Sequence, residues 1–291
     1  MNLISNRSRH YHVAAFDDMV VDLNSQGIDH VLCTGDVTNL ALRREFEFAR
    51  GKFDGLAHGQ PNITVIPGNH DAYVAEGVGL FAELFAPFAA TDEGWAWNAT
   101  DRDASDHDHD CVDGAPRWPI VRVRDQVALI GLSTSRQTPW FTAYGKVGEG
   151  QLARLSRVLE DSRLAGASLA RPLFRLVAIH HPCAGVRAKS RIRGLRDHAA
   201  FAEVIGRVGA ELIVHGHEHR DMKESLDGPG GTTVPVLGVV SGTYFHDKPE
   251  KTARYRIFEI EHGSLVTTHQ RLWDRDARRF VADPGTSKSG T

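Results

Sequence analysis

Cysteine is scarce in this chain: 291 residues contain three, at Cys33, Cys111 and Cys183. Three scattered thiols make neither a disulfide framework nor a Cys-x-x-Cys metal site, and Cys33 and Cys183 read as small buried side chains. An excess of one charge is also lacking. The net charge of −3 gives no overall attraction to nucleic acid or to an anionic membrane. No apolar run reaches the length of a bilayer span and no signal-like segment opens the chain, so no membrane partner is expected and the expected location is cytoplasmic. Internal repeats and linker-like stretches are missing too. With 41% hydrophobic and 24% charged residues, residues 1–280 are expected to form a single α/β domain. An acidic, low-complexity insertion at about 99–115, dense in Asp and His, reads as a solvated loop rather than a metal site, because no strand fixes its geometry. Residues 281–291 read as a polar, disordered tail.

Histidine, by contrast, is abundant, with 16 residues, and its placement is informative. The apolar run Leu212-Ile213-Val214 passes directly into His215-Gly216-His217-Glu218-His219. Alternate residues of an extended segment face the same side, so His215, His217 and His219 are expected to share a face. Gly216 removes a Cβ and lets the backbone turn close to whatever the rings hold. Neutral imidazole is the commonest protein metal ligand. A solvated His-rich loop does not usually follow a buried strand so abruptly, and the spacing points to metal or phosphate chemistry.

Three earlier segments repeat the layout of an apolar strand ending in polar side chains. His30 to Thr34 ends in Gly35-Asp36, where a plain helix cap is the competing reading of the carboxylate. Ile63 to Ile66 ends in Pro67-Gly68-Asn69-His70-Asp71, and Leu173 to Ile179 ends in His180-His181-Pro182. Between them the spacing predicts helices from Val13 (stripe Phe16, Met19, Val20, Leu23), over Arg43 to Phe53, Glu76 to Phe88, Gly148 to Leu164 and Asp197 to Val208. A hairpin is predicted around Asp125-Gln126. The short runs Pro235–Val240, Ser241–Phe245, Tyr255–Glu261 and Leu265–Arg271 suit a second, antiparallel-edged sheet.

The four tips supply Asp36, Asn69 with His70, His180, and His217 with His219. One carboxylate, one amide oxygen and several imidazoles, with no thiolate, suit divalent Mn, Fe, Zn or Co rather than Ca or Mg alone. A carboxylate can bridge two ions, and an ion pair roughly 3.5–4 Å apart is the usual clamp for phosphate-ester hydrolysis.

Gly35-Asp36, Gly68-Asn69-His70-Asp71, His180-His181-Pro182 and Gly216-His217-Glu218-His219, in this order, resemble the calcineurin-like metallophosphoesterase family, in particular its bacterial phosphodiesterase branch. The likeness runs from about Ile28 to His219. It implies a four-layer αββα sandwich of two mixed sheets flanked by helices, with a dinuclear centre at the strand ends. It implies that Asp36 bridges two metals, that Asn69, His180 and His217 bind one ion and that His219 binds the other. His70 would meet the substrate, stabilising the phosphoryl group or protonating the leaving oxygen. Asp71, His181 and His215 would stand behind the ligands.

One departure is clear. Members of that family begin with a strand ending in Asp-x-His, which completes the metal site of the last histidine, and this chain has none, as though its first strand were missing. Ahead of Asp36 stand Asp17, Asp18, Asp22, Asp29, His10, His12 and His30, none after an apolar strand with the right spacing. A start assigned downstream of the true one, a relative with a single metal, and His10 or His12 folding back are the explanations. The implied activity is hydrolysis of a small phosphodiester by metal-bound hydroxide, with Arg136, Tyr244 and the basic run Arg187 to Arg196 on the leaving-group side. The alternatives are a phosphomonoesterase or protein phosphatase, or a degenerate metal-binding relative with little activity. The mild negative charge argues against a nucleic-acid substrate. The sequence is silent on oligomeric state.

Overall fold

Strand alternation sorts the apolar residues onto two faces, and that sorting builds the layers. The computed structural model describes residues 12–95, 116–164, 172–244 and 251–283. The insertion at about 99–115, residues 284–291 of the expected tail, His10 and Cys111 lie outside the described residues.

In chain order, helix α1 (Val13–Ser25) leads to strand β1 (Val31–Cys33), helix α2 (Arg43–Phe53), strand β2 (Ile63–Val65) and helix α3 (Gly77–Phe85). The hairpin β3 (Ile120–Arg124) and β4 (Val127–Gly131) precedes α4 (Glu149–Leu159) and β5 (Phe174–Ile179). Then come a short α5 (Gly185–Ala188), α6 (His198–Val208), β6 (Leu212–His215), β7 (Met222–Asp227) and β8 (Thr233–Gly238). Strands β9 (Arg254–Glu261), β10 (Ser264–Asp274) and β11 (Arg279–Ala282) follow.

The largest sheet has six strands in the order β3-β4-β5-β6-β8-β7, parallel from β4 to β8 with antiparallel edges. Strands β1 and β2 form a parallel pair, and β9 to β11 an antiparallel sheet of order β11-β10-β9. Along β5, Val177 and Ile179 face α4 and α6, joining Leu152, Leu155, Phe201 and Ile205. The alternate residues Phe174, Leu176 and Ala178 turn the other way, to a layer shared with Ile66, Leu32, Phe258 and Ile260 from the smaller sheets. The outer face of those sheets is closed by α1, α2 and α3 through Met19, Phe46, Phe53 and Phe85, together with Trp273 and Phe280. The result is helices, two layers of sheet, and helices again. Fully burying a side chain such as Leu155 or Phe46 contributes about 2 kcal/mol, so the layers hold without cross-links.

Three expectations are corrected. Pro235–Val240 does not belong to a second sheet: β8 lies in the six-stranded one, parallel to β6, because Val234 and Val236 feed the α4/α6 core. Ser241 to Tyr244 is loop rather than strand. Strand β11 extends through Val281 and Ala282, the first residues of the expected tail, paired with Leu272 and Arg271. Cys33 and Cys183 are free thiols, and burial pushes each up to about 12, which leaves them unreactive.

Helix α1 is fastened to the C-terminal sheet by its acids. Asp18 accepts from Trp273 Nε1 at 2.9 Å and Arg278 Nε at 2.7 Å. Asp22 accepts from Arg271 and from the Tyr255 hydroxyl, and Asp17 pairs with Lys52 at 2.5 Å.

Candidate metal centre

Four strand ends converge at one edge of the layers. Parallel pairing sets β5 beside β6 with Ile179 opposite His215, so the chain leaves both strands side by side. The β1–β2 pair brings Asp36 and Asn69 to the same place, since Cys33 lies opposite Val65 and Ile66 N–H donates to Cys33 O at 3.1 Å. Glycine is required where these tips touch: a Cβ on Gly35 would lie 2.6 Å from Gly68 N and 2.8 Å from His180 Nδ1. A Cβ on Gly68 would overlap Asp36 Oδ1.

The ligand atoms of Asp36, His180 and His217 all lie within 4.8 Å of one another. His180 Nδ1 donates to Thr34 O at 2.6 Å, which leaves Nε2 to face Asp36 Oδ2 at 3.4 Å and Asn69 Oδ1 at 3.2 Å. Asn69 Oδ1 is also 2.8 Å from His217 Nδ1. His217 Nε2 is buried with no hydrogen-bond partner, a cost a protein does not bear without reason. A carboxylate, an amide oxygen and two imidazoles so gathered fit a divalent transition metal.

Electrostatics agree with the geometry. Burial pushes the Asp36 carboxyl up, yet His180 and His70 outweigh it and hold it well below the usual range. His180 is the reciprocal case: burial opposes a charged ring, but Asp36 raises it above its ordinary 6.5. His217 is pressed well below 6.5 by burial and by His181 and His180, and burial brings His219 down to about 4. Both rings therefore stay neutral and keep a lone pair for a cation.

Asp71 is the fastener of this end of the molecule. It accepts from Gly68 N–H at 2.8 Å, Asp36 N–H at 3.0 Å, Thr38 N–H at 2.9 Å and the Thr38 hydroxyl at 2.8 Å. Burial, and then the Asp36 charge, raise its carboxyl to about 6. His70 N–H donates to Asp36 Oδ1 at 2.9 Å, and its ring Nδ1 donates to Asn39 O at 2.9 Å. Its ring stacks on Tyr73, and Nε2 is the atom left for a substrate. His181 accepts from the Thr134 hydroxyl at 2.7 Å, donates to Ala143 O at 3.1 Å, and sets its ring 4.5 Å from that of His217.

Other expected residues fall elsewhere. His215, His217 and His219 do not share a strand face. Strand β6 ends at His215, and the backbone turns left-handed at His217 (φ 66°) and His219 (φ 51°). The His215 ring donates to Gly216 O at 3.0 Å and packs at Gly238 on β8. His219 stands outside the three-residue cluster, its ring 5.9 Å from Tyr244. Arg136 is half-buried on the loop after β4, next to Ser135, whose hydroxyl donates to Gly68 O at 2.5 Å. Of the residues ahead of Asp36, Asp17, Asp18 and Asp22 are held by the ion pairs of α1, His30 pairs with Thr64 Oγ1 at 2.8 Å, and His12 packs on Trp273.

Sequence reasoning overlooked Glu218. Its nearly buried carboxylate lies 3.4 Å from Arg187 Nη1 and 4.0 Å from Arg193 Nε. An acid inside a His-x-His motif, with the basic run Arg187 to Arg196 ahead of it in the chain, was the available signal.

A family model described as calcineurin-like phosphoesterase matches residues 9–221, a span that contains all four tips. No curated protein matches the chain.

Proposed function

The chain belongs to the calcineurin-like phosphoesterase family, whose members are metal-dependent hydrolases of phosphate esters, and from that membership we propose that it hydrolyses a small phosphodiester. The observation that carries the reading is the gathering of Asp36, His180 and His217 within 4.8 Å around the Asn69 amide oxygen. Asp36, Asn69, His180 and His217 would hold one divalent ion, with Asp36 shared toward a second at His219. Such ions supply Lewis acidity, polarising phosphoryl oxygens and making water acidic enough to attack at neutral pH. The protein's own part is placement. Thr34 O fixes the His180 tautomer, and Asp71 ties the Asp36 and Asn69 tips together. His70, held through Nδ1 by Asn39, offers Nε2 to the leaving oxygen. Arg187 and Arg193, aligned by Glu218, steer the anionic ester, while Arg136 and Tyr244 border the leaving group.

The test is hydrolysis of bis(p-nitrophenyl) phosphate against p-nitrophenyl phosphate with Mn added. The diester is expected to be the better substrate, and a preference for the monoester moves the protein to the phosphomonoesterases. Asp36→Ala and His70→Ala are each expected to lower the rate at least about tenfold. A second reading, a metal-binding relative of low activity, is favoured by one observation: among the described residues, His219 joins no acid-and-imidazole cluster of its own. One tightly bound metal per chain without turnover of either ester would establish it.

A further inference from the structure

The charge of −3 averages over a very uneven surface. Between Ser133 and Gly148, and again between His180 and Arg196, there is no acidic residue. The second of these loops carries Arg187, Lys189, Arg191, Arg193 and Arg196. The two loops are bridged: Ala143 N–H donates to Ile192 O at 2.8 Å, Gly145 N–H to Gly194 O at 3.0 Å, and Arg196 N–H to Gly145 O at 2.8 Å. Both are rooted in the metal centre, one through the His181–Ala143 hydrogen bond and the other through Glu218. Two carboxylates beside these loops are engaged: Asp197 accepts from Val147 N–H and Gly148 N–H, and Glu218 is nearly buried. Glu224, on the edge strand β7, is exposed and lies beside Gly185, at the border of the basic segment.

The same loops display large apolar side chains to solvent. Trp140 is 78% exposed, Phe141 77%, Val186 85% and Ile192 56%, four of the nine exposed large apolar residues in the described structure. Scattered singly they would mean nothing, but these four stand on two segments that are hydrogen-bonded to each other. Phe141 holds its ring out from a left-handed backbone, φ 68°, a conformation that costs about 1 kcal/mol or more in a non-glycine residue.

We propose that this rim is a docking surface for an anionic phospholipid bilayer. Exposed Trp and Phe beside aliphatic side chains, on two segments that carry cations and no acid of their own, match a membrane interface in both polarity and charge. Single-stranded nucleic acid would use the aromatics and arginines but has no use for Val186 and Ile192, which offer no stacking face. Docking would set the mouth of the metal centre against the lipid headgroups and favour amphiphilic phosphate esters. That consequence for substrate rests on the hydrolase reading; the docking itself does not, and binding measured without turnover tests it separately.

The experiment is flotation of the full chain with vesicles of phosphatidylcholine alone or with about 30 mol% phosphatidylglycerol. Binding is expected on the anionic vesicles, at least about tenfold weaker on the neutral ones, and lost near 0.5 M salt, where screening removes the charge attraction (roughly a 4 Å Debye length). The double variant W140S/F141S and, separately, Arg191→Glu are each expected to weaken binding about tenfold while keeping the parent's thermal unfolding midpoint, because all three side chains face solvent. The proposal is overturned by an absence of anionic-vesicle binding, by binding that neither folded variant weakens, or by tighter binding to a single-stranded oligothymidylate than to the vesicles.

Discussion

On the side of Asp36, Asn69, His180 and His217, each donor is held by contacts behind or beside it. Thr34 O orients one imidazole, Asn69 Oδ1 contacts both, and Asp71 ties the Asp36 and Asn69 tips through backbone N–H groups. On the side of His219, a ring rests edge-on to Tyr244, and no other acid or imidazole among the described residues completes a cluster with it. The contrast is one of number: four donors gather on one side, and on the other His219 stands outside their cluster. On the crowded side, ligand affinity depends on the groups that fix tautomer and rotamer, and losing such a partner typically costs 10–100-fold.

The contrast can be broken most directly at Asp36, the carboxylate proposed to serve both sides. Asp36→Ala is expected to remove metal binding and lower kcat/KM by about a thousandfold or more; near-wild-type titration with Mn would show that the cluster is not the metal site. Next comes the comparison of His217→Ala with His219→Ala by calorimetric Mn titration. The first should abolish the tighter binding event, while the second should leave that event and slow turnover. Equal effects would erase the distinction between the sides. Asp71→Asn keeps the shape of the fastener but turns an amide NH2, itself a donor, toward N–H donors, and should weaken the tighter ion roughly 10–100-fold.

Glu218→Gln is predicted to do less. With the guanidiniums no longer aligned, KM should rise about tenfold with kcat little changed, the pattern of lost uniform binding. A fall in kcat instead would put Glu218 in the centre itself. The smallest effect separates the centre from the fold around it. Burial, then Arg122 and Arg124, lower His30 from 6.5 to about 3. The unfolded chain therefore binds the extra proton between those values, so stability from this group is present above pH 6.5 and drains away on acidification toward pH 3. His30→Gln should flatten that part of the thermal-unfolding profile; an unchanged acid slope would assign it to other groups.

The tips were legible in the sequence because each couples an apolar strand to a glycine and a metal-capable side chain, and those signals are local. Asp36, Asn69, His180 and His217 are brought together as that pattern suggests. What escaped depends on distant partners. Strand β7, Met222–Asp227, is a largely exposed edge with little apolar alternation to announce it. Strand β8 has the same composition whichever sheet receives it, and only its parallel register with β6 decides. The common face expected of His215, His217 and His219 assumed an extended chain where the backbone turns.

Asp36, His217 and His219 adopt left-handed backbone, φ 60°, 66° and 51°, which suits glycine and burdens any other residue by about 1 kcal/mol or more. Replacing these side chains one at a time with glycine should thus give proteins that melt higher than the matching alanine variants. Each of these positions carries a backbone strain local to the proposed centre, and a stabilisation campaign guided by melting temperature alone would be drawn to them when it sought left-handed residues to relieve.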